Sequence, residues 1–268
     1  MLPIAKYNTG LGAKQSSSNA VFLEVARNIE KIVPLKRIEE LEREAVREIK
    51  EFVGSSRVAY GWSGGKDSMA LQGVCEAAGI QECVYVKTYL EFPEFLDWVT
   101  ANMPQGLTVI TQPYDLEWLS KNLSALFPQD SATAGKWFQR VQGAGRKQYC
   151  KEQGLKKYIL GRRKSDRNFV GKDGLNRYEG NGVVHLSPLA NWTHEEVIAY
   201  NHFRKMPIPP IYSWPNGFVV GTGPWPARQW TGSIENGWAE TFQIDPSVVE
   251  QAATKIASAR AFLRGLRS

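Results

Sequence analysis

The sequence predicts an α/β protein with a mostly parallel sheet, helices on both faces and an irregular C-terminal elaboration. Two observations carry this expectation. Short apolar strands alternate with helices through the first half of the chain, the pattern of a parallel sheet covered on both faces. The strand Arg57-Val58-Ala59-Tyr60-Gly61 also runs straight into a Ser-Gly-Gly loop that opens a helix. Sheets of this kind bind ligands at the carboxyl ends of their strands, where such a loop lies.

Residues 7–20 are rich in Gly, Ser, Asn and Gln, so residues 1–34 are expected to be flexible or loosely packed. From Leu35 onward Ile38, Leu41, Ala45, Ile49 and Phe52 recur at three and four residues between charged positions. That spacing predicts an amphipathic helix ending near Gly54. Residues 67–78 read as the next helix, packing through Met69, Ala70, Leu71, Val74, Cys75 and Ala78. Cys83-Val84-Tyr85-Val86 and Leu107-Thr108-Val109-Ile110 read as strands. A helix over 93–99, with Pro in its first turn, and one over 116–126 follow them.

The second half is less regular. Residues 136–153 read as a polar helix, Tyr158-Ile159-Leu160-Gly161 as a strand, and 171–182 as a glycine-rich loop or flap. Val183-Val184-His185-Leu186 is a further strand, and Thr193 with Glu196 forms a capping box for a helix to about residue 205. Six prolines between 207 and 226 predict an ordered, largely non-helical excursion. A single last helix is expected from Asp245-Pro246, through Val249, Ala252, Ala253, Ile256, Ala259 and Leu263. The expected organisation is therefore 1–34, an α/β domain over 35–206, and a Pro/Trp-rich segment with a C-terminal helix over 207–268 packed on that domain.

Composition narrows the function classes. The 268 residues are 43% hydrophobic and 22% charged, ordinary for a folded chain. No run of eighteen apolar residues occurs, and the first residues lack a secretory signal's apolar segment, so no membrane partner and a cytoplasmic location are expected. The three cysteines, Cys75, Cys83 and Cys150, form no Cys-x-x-Cys pair. Neither an iron–sulfur cluster nor zinc is expected. His185, His194 and His202 have no metal-ligand spacing, although His185 stands where it could approach a ligand. The net charge of +6 suits an anionic ligand and leaves nucleic acid open as a partner, as it does a homodimer.

Ser63-Gly64-Gly65-Lys66-Asp67-Ser68 carries the chemistry. Gly64 and Gly65 allow a tight turn and close approach of the backbone to a ligand, and amides leading into a helix amino end hold phosphate oxygens. Lys66 adds a mobile positive charge, Asp67 either a magnesium ligand or a group that orients a helix-end donor, and Ser63 and Ser68 hydroxyls. An ordinary P-loop needs Gly where Tyr60 stands and Ser or Thr where Asp67 stands. The basic loop Arg162-Arg163-Lys164-Ser165-Asp166-Arg167 follows a strand, so its guanidinium forks are candidates for phosphate or sulfate. Trp214, Phe218, Trp225 and Trp230 either stack on a base or form a small core, and Arg228 is placed to close over an anion.

The loop resembles the PP-loop of the N-type ATP pyrophosphatases and of the phosphoadenosine phosphosulfate (PAPS) reductase family. Three further segments resemble the PAPS reductase branch in the same order. They are Thr88-Tyr89-Leu90-Glu91-Phe92-Pro93-Glu94, the basic loop from Gly161, and Leu186-Ser187-Pro188-Leu189-Ala190-Asn191-Trp192-Thr193 with Pro207 and Tyr212. Lys87 stands where family members usually have Asp before the Thr. The resemblance implies an adenine nucleotide alpha-hydrolase-like, Rossmann-like fold. It also implies a site in which Ser63, Gly64, Gly65, Lys66, Ser68, Thr88, Arg162, Arg163 and Arg228 hold the nucleotide. Lys66, Asp67 and Arg163 are then the catalytic candidates, with Asp67 on magnesium. The activity implied first is cleavage of ATP-Mg between the α and β phosphates, adenylating an unidentified acceptor substrate. The alternative is a PAPS reductase-like or sulfotransferring enzyme taking PAPS or APS with an external thiol, from a thioredoxin-like partner. Family reductases carry their catalytic Cys in a Glu-Cys-Gly-x-His-like segment, whereas no cysteine follows Cys150 here. A non-catalytic adenine nucleotide-binding protein is the third reading.

Overall fold

The computed structural model describes residues 2–12, 17–172 and 174–266. The loose-segment reading of 7–20 and the flap reading of 171–182 include positions 13–16 and 173, which lie outside the described residues.

Three helices precede the sheet: α1 (Asn19–Arg27), α2 (Ile29–Ile32) and α3 (Leu35–Val53). Within the stretch expected to pack loosely, Ser18 caps α1 by accepting from the Val21 N–H, and Phe22, Val25, Ile29 and Val33 are buried. Their spacing of three and four residues is a helical stripe. The polar composition of the preceding residues obscured it. α3 buries Ile38, Leu41, Ala45, Ile49 and Phe52, the five positions read from its periodicity.

β1 (Ala59–Gly61) leads through the glycine loop to α4 (Lys66–Ala77), followed by β2 (Cys83–Lys87), α5 (Pro93–Asn102), β3 (Leu107–Thr111) and α6 (Leu116–Lys121). The helix expected over 116–126 stops at Lys121, where Asn122 leaves helical geometry and a 3₁₀ turn follows. α7 (Ser131–Phe138) and α8 (Ala144–Glu152) are joined by a π-helical turn, Gln139–Gly143. Then come β4 (Lys157–Ile159), β5 (Arg177–Gly180), β6 (Val183–Leu186) and α9 (His194–Phe203). β5 corrects the flap reading. It pairs antiparallel with β6 through Asn181-Gly182, both at positive φ (+55° and +70°), the backbone of a two-residue hairpin turn. The Asn-Gly pair was the available signal.

The sheet order is β3-β2-β1-β4-β6-β5. β1 is parallel to both β2 and β4, and β4 is parallel to β6. The chain thus lays strands outward on one side of β1 and returns to its other side with β4. The loops leaving β1 and β4 therefore meet at a topological switch point.

Contacts divide the chain into two units. The first is Met1–Tyr85, Asn102–Thr108 and Arg146–Pro209; the second is Val86–Ala101, Val109–Gly145 and Pro210–Ser268. In the first, α4 and α9 pack closely: a Cβ on Gly73 would lie 2.6 Å from the Tyr200 hydroxyl, so only glycine admits that ring. In the second, the Pro/Trp stretch is core. Trp225 donates its N–H to the Leu90 carbonyl (2.8 Å) and Phe127 donates to Pro226 (2.8 Å). The Phe127 and Trp225 rings pack on Trp238, with centroids 4.9 and 5.6 Å away. α10 (Gly217–Val220) is the one α-helical turn in the proline-rich excursion. α11 (Ile234–Ile244), capped by Ser233, precedes α12 (Pro246–Ala253) and α13 (Ala257–Gly265). The single last helix expected from 245 is thus two, because Ile256 is extended (φ −110°, ψ 119°) and buries its side chain in the break.

α3 also holds a titratable strain. Burial pushes the Glu48 carboxyl up to about 7, against an opposing hydrogen bond from Asn176. Between its ordinary value near 4.5 and about 7 the folded chain holds a proton that the unfolded chain has lost. Stability from this group is therefore present in acid and lost as pH rises through 7. Glu48→Gln is expected to raise the melting temperature at about pH 8 and leave it unchanged at about pH 4. An equal shift at both would refute the assignment.

Candidate functional site

The loop after β1 is built by its own residues. Gly64 adopts φ +70°, and Gly65 is the N-cap of α4 without a side chain to cap it. Ser68 closes the turn: its hydroxyl accepts from the Ser63 N–H (3.1 Å) and donates to the Gly65 carbonyl (2.9 Å). The Asn201 amide of α9 donates to the Lys66 carbonyl (2.8 Å) and fixes the start of the helix. The amino end of α4 so presented offers N–H groups and the positive end of a helix dipole to an anion. Gly64→Ala is expected to cost about 1–2 kcal/mol, the price of left-handed backbone for an L-residue. An unchanged urea midpoint would show that this φ is not required.

Beside the loop lies a buried charge cluster. Asp67 stands between two cations: its Oδ2 is 2.7 Å from Lys66 Nζ, and its Oδ1 is 2.7 Å from Arg163 Nε. The second contact is close enough for an ion pair but is not aligned as a hydrogen bond. Arg163 is 0% exposed. Its remaining nitrogens reach Asp166 (2.8 Å), the Ser165 hydroxyl (2.7 Å), the Trp192 carbonyl (3.3 Å) and His194 Nδ1 (3.1 Å). Because a guanidinium only donates, His194 Nδ1 accepts, which puts the imidazole proton of the neutral ring on Nε2. Two cations and two carboxylates thus balance one another, with Lys66 and Arg163 out of water and Asp67 still partly exposed.

The sequence-derived candidates separate accordingly. Ser63, Gly64, Gly65, Lys66, Asp67, Ser68 and Arg163 come together in the first unit, with Arg162 on the same loop as Arg163. Arg162 is half-buried and donates to the Phe169 carbonyl (3.2 Å) and the Tyr178 hydroxyl (3.1 Å). His185 is buried, stacked on Tyr178 at 4.8 Å, and pushed down to about 4 by burial and by Arg146 and Arg162. It is a neutral core ring.

Thr88 and Arg228 belong to the second unit. Thr88 is buried and gives both its N–H and its hydroxyl to Glu91 (2.7 and 2.9 Å). Arg228 is buried against Glu240 and the Pro215 carbonyl, so the guanidinium read as closing over an anion serves this unit's interior. Asp166, His194 and Asn201 were missed as site residues. Only Asp166 carried a signal, as the lone acid within the basic loop.

Asp67 also tests the magnesium expectation. With each oxygen at 2.7 Å from a cation, a metal there requires Lys66 or Arg163 to release the carboxylate. As arranged, the residues do not fit the ion. Among the described residues no group of three or more His, Cys, Asp or Glu is placed to hold a metal. No described helix is long and apolar enough to cross a membrane.

The sequence profile of the phosphoadenosine phosphosulfate reductase domain matches residues 57–219. No curated protein is similar in sequence. Among solved structures, phosphoadenylyl-sulfate (PAPS) reductase from Candida auris, in a phosphate complex, superposes with a TM-score of 0.50 at 17% identity. The match covers 72% of this chain and 96% of that one, and it bears on the fold. Weaker likenesses are yeast FAD synthetase with FAD and the U34-tRNA thiolase of Methanococcus maripaludis with its [4Fe-4S] cluster. The first has a TM-score of 0.49 at 13% identity over 80% of this chain and 75% of that one. The second has 0.41 at 14% over 86% and 80%.

Proposed function

The chain belongs to the phosphoadenosine phosphosulfate reductase domain family, and from that membership we propose that it is an enzyme binding an adenylyl sulfate, PAPS or APS, and passing its sulfur to an external thiol. One observation carries the reading: the glycine loop after β1 and the basic loop after β4 flank the sheet's switch point, joined through Asp67 and Arg163. The loop amides and Lys66 take the phosphate oxygens, and Arg162 stands on the neighbouring loop as a second cationic group.

The thiol comes from outside. Cys75, Cys83 and Cys150 are buried, and burial raises all three, Cys83 to about 11. A poorly ionised, buried thiol is a poor nucleophile. In the proposed reaction a thiolate of a dithiol partner attacks the sulfate sulfur, and the sulfur–oxygen bond to the phosphate breaks. The nucleotide phosphate leaves with the bonding pair. The partner's second thiolate then attacks the first cysteine's own sulfur in the resulting S-sulfonate, so sulfite leaves with the S–S bonding pair and a disulfide closes; the two electrons come from the dithiol.

Adenylation of a substrate by ATP is the second reading, favoured by the complete Ser63-Gly64-Gly65-Lys66-Asp67-Ser68 sequence. Incubation with PAPS or APS and a reduced thioredoxin-like protein is expected to release sulfite. Pyrophosphate released from ATP, with no sulfite from either sulfate, would move the assignment to the second reading.

A further inference from the structure

Arg163 was a candidate anion ligand, and its surroundings argue for a different task. All three guanidinium nitrogens are engaged, and the side chain has no exposed surface. Its partners come from three segments at the carboxyl side of the sheet: Asp67 after β1, Ser165 and Asp166 after β4, and Trp192 and His194 at the start of α9. An incoming phosphate would have to displace a carboxylate that already compensates the buried charge.

We infer that Arg163 is a positioning residue, clamping Asp67 and with it the loop of residues 63–68, while Lys66 and the loop amides contact the nucleotide. The inference rests on the nucleotide-binding reading. Asp67 bridges the two cations, so when Lys66 turns from Asp67 to a phosphate, Arg163 keeps that carboxylate paired and the loop in place. A planar fork is needed for this. Lysine at 163 would carry the charge but could not span Asp67, Asp166 and His194 at once.

The test is a double-mutant cycle on nucleotide affinity, titrating wild type, Arg163→Lys, Asp67→Asn and the double variant with PAPS, APS and ATP, alongside amide hydrogen exchange of residues 64–68. Arg163→Lys is expected to weaken binding about tenfold in the native background and less than about twofold beside Asp67→Asn. Loop exchange should quicken about tenfold in Arg163→Lys while the sheet core stays protected. Native-like affinity and exchange in Arg163→Lys would overturn the inference, as would an equal loss in both backgrounds. Should wild type bind none of the three nucleotides, the nucleotide reading fails, and the exchange measurement still decides whether Arg163 holds the loop.

Discussion

Lys66→Met is expected to weaken binding of the adenine nucleotide about 100-fold, the worth of a charge-assisted hydrogen bond lost from a partly dry site. Methionine keeps the unbranched stem that Lys66 buries and removes only the ammonium. The fold should tolerate the change, since Asp67 retains Arg163 at 2.7 Å and the Lys66 carbonyl retains Asn201. Titration calorimetry reads the affinity and a urea melt controls for folding. A native dissociation constant in a folded Lys66→Met protein would remove Lys66 from the site. A fall in both affinity and stability would assign it to the buried cluster instead.

Phe22→Ala is expected to destabilise the protein by about 3–5 kcal/mol, as truncating a fully buried aromatic does. The ring is 0% exposed and meets His194 edge to face at 5.3 Å. His194 in turn touches Arg163, so the first helix lies one side chain from the buried charge cluster. A shift under about 0.5 kcal/mol in a denaturant melt would return residues 19–33 to a loosely attached segment. Chain composition spoke for the loose reading, and burial of Phe22, Val25 and Ile29 speaks against it.

Local signals make much of the molecule legible in the sequence. The five apolar positions of α3, the Thr193–Glu196 capping box and the strand–loop–helix around Gly64 depend on neighbours within a few residues. Periodicity, caps and glycine backbone freedom report such neighbours directly. Elements whose existence depends on distant partners were read less well. β5 is a strand because β6 pairs with it, and the break at Ile256 follows from where α13 packs. A local pattern reports neither.

The same division runs through the site. By itself the sequence determined that a glycine loop, a lysine and a cluster of arginines would stand at the carboxyl ends of parallel strands, because strand alternation and loop composition are local properties. It could not distinguish Arg162 from Arg163, adjacent residues of one type. Tertiary structure separated them: Arg163 turns inward to two carboxylates and a histidine brought from 67, 166 and 194, while Arg162 turns to Tyr178 and Phe169. Which arginine carries a buried charge depends on which carboxylates the fold delivers to it, since burying an ion without a partner costs several kcal/mol.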